Sequence, residues 1–209
     1  MTHPWQEQLG RRFARFATDQ VIAHPSLWRA FRTPLRWQFD RLAGGWDQRI
    51  GPEGLAPLQA ALLRVPTATR VLDLGTGTGK AARAAAARYP GATVMGVDLS
   101  PEMVEQARGL LPAELEERVH FEVADSAALP FTDASFDLVV LMNMIPFFPE
   151  LGRVTAQRGA LVIVFSFGAG TPIYVAPGVL RERLGPLGFG EFEELAAGTG
   201  TAFIARRRA

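Results

Sequence analysis

The feature that most constrains this chain is a glycine-rich turn that directly follows a short apolar strand. The turn reads Gly75-Thr76-Gly77-Thr78-Gly79 after Val71-Leu72-Asp73-Leu74, and an alanine-rich stretch at 80–88 follows it. Glycines permit positive φ and let a ligand approach the backbone without meeting a Cβ. A strand, a glycine turn and a helix in this order predict a ligand-binding corner of an α/β fold.

From Arg70 onward, short apolar or β-branched runs alternate with helix-like stretches, a pattern typical of βαβ units around a parallel sheet. The predicted strands are Arg70–Leu74, Thr93–Asp98, Val119–Ala124, Phe136–Met142, Ala160–Ser166, Glu191–Leu195 and Thr201–Ala205. Helices are predicted at 80–88, from Ser100-Pro101-Glu102 onward, and at 177–187. We therefore expect an α/β, Rossmann-like fold: a seven-stranded, mostly parallel sheet with an antiparallel C-terminal hairpin strand and an N-terminal helical cap.

Two helices are assigned a buried face from their apolar spacing. After Gly51-Pro52, leucines recur at i, i+3, i+7 and i+8, which predicts one apolar helix face. Its members are Leu55, Leu58, Leu62 and Leu63. The helix that Ser100 opens is predicted to bury Met103, Ala107, Leu110 and Leu111.

Residues 1–50 are predicted to form a helical arm, with the Rossmann-like domain at 51–209. Residues 1–45 hold seven arginines against Glu7, Asp19 and Asp40. Large aromatics are interleaved with them: Trp5, Phe13, Phe16, Trp28, Phe31, Trp37, Phe39 and Trp46. Three interpretations stay open: an arm docked on the core with its arginines in water, a lid over an apolar or aromatic acceptor, or a surface for RNA or anionic lipid.

Composition excludes several classes of site. Cysteine is absent and the three histidines, His3, His24 and His120, are scattered, so we expect no metal. A formal net charge of +1 gives no global attraction to nucleic acid. Apolar runs such as 160–165 are too short to span a bilayer and no secretory leader is evident, so we expect a cytoplasmic protein with no membrane span. The basic run Arg206-Arg207-Arg208 is expected to be a solvated end.

The spacing of the turn argues against other nucleotide-binding motifs. A dinucleotide turn needs G-x-G-x-x-G, but the third glycine comes one residue early and Lys80 takes its place. A P-loop would need glycine at Leu74 and a hydroxyl residue at Ala81. A short-chain dehydrogenase would need Tyr-x-x-x-Lys, and the only lysine lies in the turn itself.

Residues 68–166 resemble the class I S-adenosylmethionine-dependent methyltransferase family, of the small-molecule type. Four motifs carry the resemblance: Asp73 with the glycine turn, the segment 97–103, Ala124-Asp125-Ser126, and the segment 129–140. The resemblance implies S-adenosyl-L-methionine as cofactor, with Asp73 near its methionine part. It implies that Asp98 accepts hydrogen bonds from both ribose hydroxyls and that Asp125 holds the adenine amino group. The predicted cofactor-binding residues are Asp73, Gly75, Thr76, Gly77, Thr78, Gly79, Asp98, Leu99, Met103, Asp125, Ser126 and Asn143.

The corner after the fourth strand bears on the methyl acceptor. It reads Met142-Asn143-Met144-Ile145-Pro146-Phe147-Phe148. Family members that methylate adenine or amide nitrogen often carry Asn/Asp-Pro-Pro-Tyr/Phe here, and many small-molecule members carry histidine; neither is present. Asn143 contacts cofactor or acceptor, or caps the corner. Trp46-Asp47 stands where small-molecule members often place an aromatic–acid pair near the cofactor.

These observations favour methyl transfer to O, N or C of a small-molecule metabolite, mainly by positioning and desolvation. A general base is needed only when the acceptor must lose a proton, and no catalytic residue is assigned. The alternatives are a cofactor-binding module without turnover and a methyltransferase acting on RNA or lipid. Nucleic acid is disfavoured as a partner, and no oligomeric state is predicted.

Overall fold

The structure is a computed structural model that describes residues 4–209, with side chains from Gln8 onward. His3 and the side chains of Trp5 and Glu7 therefore lie outside the described part. The helices are α1 (Pro4–Ala23), α2 (Trp28–Leu42), α3 (Pro52–Arg64), α4 (Lys80–Arg88), α5 (Pro101–Gly109), α6 (Phe148–Val154) and α7 (Pro177–Leu184). The strands are β1 (Arg70–Leu74), β2 (Thr93–Asp98), β3 (Val119–Val123), β4 (Phe136–Met142), β5 (Thr155–Phe165), β6 (Phe189–Ala197) and β7 (Gly200–Arg207).

The seven strands form one sheet in the order β3-β2-β1-β4-β5-β7-β6. Strands β1 to β5 pair in parallel, β7 is antiparallel to β5, and β6 is antiparallel to β7. This confirms the predicted Rossmann-like sheet with its C-terminal hairpin. Because the strand order reverses between β1 and β4, the carboxyl ends of these strands open a crevice there. Leu74 of β1 is level with Val97 of β2 and Leu141 of β4 at this edge.

Side chains alternate between two apolar layers, one on each face of the sheet. In β4, Leu138 and Val140 enter the layer beneath α3, α4 and α5, while Val139 and Leu141 enter the layer beneath α6 and α7. The alanines of α4 let that helix approach the sheet closely, and Ala81, Ala82, Ala85 and Ala86 are all buried. Both faces are covered, as a largely parallel sheet requires.

The predicted boundaries match the structure for α4, β1, β2 and β4. Strand β5 starts at Thr155 rather than residue 160, because Thr155 already pairs with Phe136 of β4. The register shifts before the next pair, Ala160 with Leu138. Helix α7 ends at Leu184, and residues 185–187 form a separate 3-10 turn. Helix α6 is not predicted by the apolar pattern, since it spans only seven residues.

Three predictions of burial are wrong. Leu63 is 69% exposed, because Leu58, Ala61 and Leu62 define the buried face of α3 and Leu63 lies beside it. Leu110 is 43% exposed because α5 ends one residue earlier, at Gly109. The basic run is not a solvated end throughout: Arg206 and Arg207 belong to β7 and donate to backbone carbonyls of Arg64 and Thr155.

The arm covers the carboxyl edge of the sheet. Helices α1 and α2 meet through Phe13 and Phe31, whose ring centroids are 6.1 Å apart. The apolar faces of both helices pack with Ile145 and Phe147 of the corner after β4 in a third core cluster. In the part of the chain that the structure describes, no helix is long and apolar enough to cross a membrane.

Candidate functional site

A pocket lies at the carboxyl ends of β1, β2 and β4, between the glycine turn and the arm. Its lining includes Ala14, Trp28, Leu35, Phe39, Trp46, Ile50, Gly75, Thr76, Gly77, Thr78, Lys80, Asp98, Leu99, Met103, Ser126, Met142, Asn143, Met144, Ile145 and Ile173. We call the turn with the ends of β1 to β3 the floor, formed by Gly75, Thr76, Gly77, Asp98 and Ser126. The arm forms the roof, which consists of Ala14, Trp28, Leu35, Phe39 and Trp46.

The three glycines of the turn all have positive φ: 67° at Gly75, 53° at Gly77 and 80° at Gly79. A Cβ at Gly75 would lie 2.6 Å from Met144 Sδ, and one at Gly77 would lie 3.1 Å from Trp46 Nε1. The backbone N–H of Thr76 donates to Val97 O at 2.9 Å, which ties the turn to β2. The floor therefore has little room for any side chain at these positions.

Asp73 lies directly below the turn and is 1% exposed. Its Oδ2 accepts a 2.6 Å hydrogen bond from Thr76 Oγ1, whereas Oδ1 has no hydrogen-bond partner among the described residues. Burial raises the pKa of Asp73 to about 7, although the Thr76 hydrogen bond opposes the rise. A buried carboxyl oxygen without a donor is costly, so the unpartnered oxygen directly below the floor makes Asp73 a candidate for ligand binding.

Asp98 ends β2 and lines the pocket. Its Oδ2 accepts from Gly77 N and its Oδ1 from Ser100 N, each at 2.9 Å. Burial raises the pKa of Asp98, and these backbone hydrogen bonds oppose the rise. Because each oxygen retains a lone pair, the carboxylate is held in one orientation and can still accept from a diol.

Asp125 follows β3 and is held by the arm. Its Oδ1 accepts from Trp28 Nε1 at 2.8 Å and from Ala127 N at 2.9 Å, while Oδ2 is 3.6 Å from Arg32 Nη1. Of the twelve predicted cofactor-binding residues, Asp73, Gly79 and Asp125 do not line the pocket. Asp73 lies below the turn, Gly79 closes the turn by donating its N–H to Thr76 O, and Asp125 joins the floor to the roof.

The chain's single lysine has a structural partner that the sequence motifs do not reveal. Lys80 Nζ donates to the carbonyl oxygens of Asp47 and Ile50. The Asp47 carboxylate in turn accepts from Thr78 Oγ1 at 2.9 Å and from Arg83 at 3.2 Å. These contacts hold segment 46–50 so that Trp46 lies against Gly77. Of the predicted pair, Trp46 therefore reaches the pocket and Asp47 positions it.

Asn143 lines the pocket with φ 55°, a left-handed conformation that asparagine tolerates better than most residues. Its Oδ1 accepts from Ser166 N and its Nδ2 donates to Ser166 Oγ, both at 2.9 Å. The amide thus joins the ends of β4 and β5, as the capping interpretation expects. Ser166 is buried, and no local sequence signal marks it as a partner for Asn143.

The ionisable groups of the pocket lie on one side. Among the described residues that line it, Lys80 and Asp98 are the only ionisable side chains, and both belong to the glycine-turn side. The roof presents aliphatic and aromatic groups, so the described residues place no general base or free cation against it. No group of His, Asp or Glu side chains in the described residues could hold a metal ion.

The chain is similar in sequence to known methyltransferases. The methyltransferase domain family model matches residues 71–161. Magnesium-protoporphyrin O-methyltransferase of Rhodobacter capsulatus is 33% identical over 174 residues, which cover 73% of this chain and 76% of the relative. Demethylmenaquinone methyltransferase of Thermus thermophilus is 42% identical over 102 residues, which cover 46% of each chain. The chain spans less than half the length of several further relatives.

Among solved structures, human N-acetylserotonin methyltransferase in complex with S-adenosylmethionine shares the fold. Its TM-score is 0.63 at 18% identity, over 88% of this chain and 58% of the human protein. The relative that is 33% identical over 73% of this chain shows the family to which the chain belongs. The chain belongs to the class I S-adenosylmethionine-dependent methyltransferases.

Proposed function

We propose that the protein transfers the methyl group of S-adenosylmethionine to a small, largely apolar metabolite. One observation carries the proposal: the floor presents the carboxylate of Asp98 to the pocket, with the buried carboxyl group of Asp73 beneath it, and the described roof residues carry no ionisable side chain. The floor suits a polar, cationic nucleoside cofactor, and the roof suits an uncharged acceptor. Demethylmenaquinone, named for one relative, illustrates an acceptor of this kind.

The residues on the floor fit the cofactor. We propose that the unpaired Oδ1 of Asp73 faces its cationic end, that Asp98 accepts from the ribose hydroxyls, and that Asp125 and Ser126 lie at the adenine end. The glycine turn, Leu99, Met103 and Asn143 would complete its surroundings. When bound, the cofactor supplies a methyl group on a positively charged sulphur.

The chain's own contribution to the reaction is positioning and exclusion of water. The roof holds the acceptor against the floor and keeps water from the pocket, which strengthens electrostatic interactions inside it. Because no described residue places a general base against the roof, we expect the acceptor atom to carry a nucleophilic electron pair already or to lose its proton to solvent. The corner at 142–148 lacks the base-methylating motif, so nucleic acid is not proposed as acceptor.

We propose that residues 1–50 act as the roof of a methyltransferase domain at 51–209, and that the protein works in the cytoplasm. The packing of Ala17, Val21 and Leu35 against the corner after β4 supports the first proposal. The absence of cysteine supports the second, since reducing compartments do not select for disulfides.

Calorimetry with S-adenosylmethionine, S-adenosylhomocysteine and NAD tests the cofactor. We expect binding of the first two, and Asp98→Ala should weaken it about 100-fold because two charge-assisted hydrogen bonds are lost. Glu122→Ala removes an exposed carboxylate elsewhere and serves as the matched control. Tight NAD binding without S-adenosylmethionine binding would contradict the assignment of the floor.

A screen with labelled S-adenosylmethionine against fractionated metabolites tests turnover. We expect label to enter uncharged, apolar fractions. Cofactor binding without label transfer to any fraction would favour the alternative, a cofactor-binding module without turnover.

A further inference from the structure

The outer surface of the arm carries an apolar and basic stripe that the pocket does not use. On α1, Leu9, Arg12 and Phe16 are spaced by three and four residues, so they share one helix face. They lie opposite the buried residues Ala14 and Ala17. Leu9 is 61% and Phe16 is 55% exposed, so this face of α1 presents an apolar patch rather than one isolated apolar side chain.

Helix α2 continues the stripe. Leu27, immediately before the helix, and the helical residues 30, 34, 37 and 41 follow one another at three- and four-residue intervals, and all are exposed. Trp37 is 62% exposed and points away from the buried Trp28 and Leu35. We call Leu9, Arg12, Phe16, Leu27, Trp37 and Arg41 the outer stripe. Its two halves meet at Phe31, whose ring lies 5.9 Å from that of Phe16.

The charges on the arm divide into two sets. Four arginines are engaged: Arg11 and Arg15 donate to carbonyls of residues 169–174, and Arg32 and Arg36 face Asp125 and Asp40. By contrast, Arg12, Arg29 and Arg41 are exposed and have no hydrogen-bond or ion-pair partner among the described residues. Asp19 is the only exposed acid described on α1 and α2. The outer surface is therefore positively charged as well as apolar.

We infer that the outer stripe docks the protein on an anionic lipid bilayer. Arg12 and Arg41 would contact lipid phosphates, while Leu9, Phe16, Leu27 and Trp37 would enter the boundary between headgroups and acyl chains. Interfacial helices combine basic residues with tryptophan, phenylalanine and leucine in this way. The inference is independent of the methyl-transfer proposal, because no residue of the stripe lines the pocket.

Two other partners fit the stripe less well. Single-stranded RNA would stack on Phe16 and Trp37, but it gains little from the aliphatic side chains of Leu9 and Leu27. A second copy paired through this surface would bring Arg12 and Arg41 close to the same arginines of its partner. An anionic bilayer can bury the apolar side chains and bind the arginines at the same time.

Flotation of the full chain with vesicles tests the inference. We expect binding to vesicles of phosphatidylcholine mixed with phosphatidylglycerol, weakening as salt rises, and little binding to pure phosphatidylcholine. The double variant Arg12→Gln/Arg41→Gln should bind about 30-fold more weakly. The double variant Phe16→Ser/Trp37→Ser should not bind the vesicles even at low salt, because it lacks the apolar contacts. Its cofactor affinity should be unchanged. Arg70→Gln and Leu63→Ser alter an exposed arginine and an exposed leucine elsewhere and are the matched controls.

Three results would overturn the inference. The first is no binding to anionic vesicles, or equal binding by the wild type and both double variants. The second is binding to a single-stranded RNA oligonucleotide, without vesicle binding, that the double variants abolish. The third is a dimer in sedimentation equilibrium that Phe16→Ser/Trp37→Ser dissociates, again without vesicle binding. Retained cofactor binding in each variant shows that the chain is folded.

Discussion

The floor and the roof of the pocket are built in opposite ways. The floor consists of strand ends and a glycine turn, fixed by backbone hydrogen bonds and by the register of β1 with its neighbours. The roof lies mainly on α1 and α2, which are held by side-chain hydrogen bonds. Among these, Trp28 donates to Asp125 and Ser100 donates to Asp40. The floor is therefore fixed by backbone contacts between neighbouring strands, whereas the roof depends on how the side chains of two helices pack. Changes in the floor should therefore affect the cofactor most, and changes in the roof the acceptor.

The largest effect is expected from Gly75→Ala. At φ 67° the added Cβ costs about 1 kcal/mol in backbone strain and would lie 2.6 Å from Met144 Sδ. We expect cofactor affinity, measured by calorimetry, to fall about 100-fold as the floor distorts. Gly91→Ala, at an exposed glycine with open space around it, should leave affinity unchanged. Wild-type affinity in Gly75→Ala would show that the floor is not rigid.

Asp73→Asn tests the charge beneath the floor. Because burial raises the pKa of Asp73 to about 7, the carboxyl group is protonated below that pH and ionised above it. Affinity for the cationic cofactor should then rise with pH, by up to about tenfold per unit below pH 7, and level off above it. The amide of the variant cannot ionise, so its cofactor affinity should be lower at pH 8 and should depend less on pH than that of the wild type. A parallel pH dependence in both proteins would remove Asp73 from this role.

Folding stability should respond to Asp73 in the opposite sense. A raised pKa means that the folded protein binds the proton more tightly than the unfolded chain does. The contribution of Asp73 to the free energy of unfolding should therefore decrease as pH rises from 3.8 to about 7, and Asp73→Asn should remove that contribution. Denaturant unfolding at a series of pH values measures it. A greater decrease in the variant than in the wild type would contradict the sign.

Leu35→Ala tests the roof. Leu35 is 5% exposed and faces the pocket, so its truncation opens space where the acceptor is proposed to bind. We expect KM for the acceptor to rise about tenfold, while cofactor affinity changes by less than about twofold. Leu110→Ala, at an exposed leucine, is the control. An equal loss of affinity for acceptor and cofactor would contradict the proposal that the roof contacts the acceptor and the floor contacts the cofactor.

The smallest effect is expected from Arg15→Gln. Arg15 donates to Tyr174 O at 2.7 Å and to Thr171 O at 3.0 Å, which fastens α1 to the core. Without these bonds, hydrogen exchange in α1 should accelerate several-fold while the melting temperature stays nearly constant. Arg12→Gln, three residues away and without a partner among the described residues, should exchange like the wild type. Unchanged exchange in Arg15→Gln would mean that apolar packing alone holds the arm.

Much of the floor could be predicted from sequence because its residues lie in short, continuous motifs. The turn follows its strand directly, and Asp98 follows from the length of one βα unit. The alternation of apolar runs also predicts the sheet, since each strand of a buried parallel sheet carries its own local signal.

The remaining contacts join residues that are far apart in the chain, so no local pattern predicts them. Asp125 matches a family motif, but its partner Trp28 precedes it by 97 residues. The contact of Asn143 with Ser166 and the contact of Lys80 with the carbonyls of segment 47–50 also join residues that are distant in the chain. Helix α6 escapes prediction because one short helix carries too few residues to show a periodicity.

The contacts by which Arg15 and Arg11 hold the arm do not depend on the side chains of the segment that they bind. Among the described residues, both guanidinium groups donate to carbonyl oxygens of residues 169–174, and a carbonyl is present whatever the side chain. Ile173 lies in that same segment and lines the pocket. Mutations there can reshape the pocket wall without detaching the arm, so attachment and selectivity can evolve separately. We therefore expect saturation mutagenesis at position 173 to alter selectivity for the proposed acceptor while the arm stays attached.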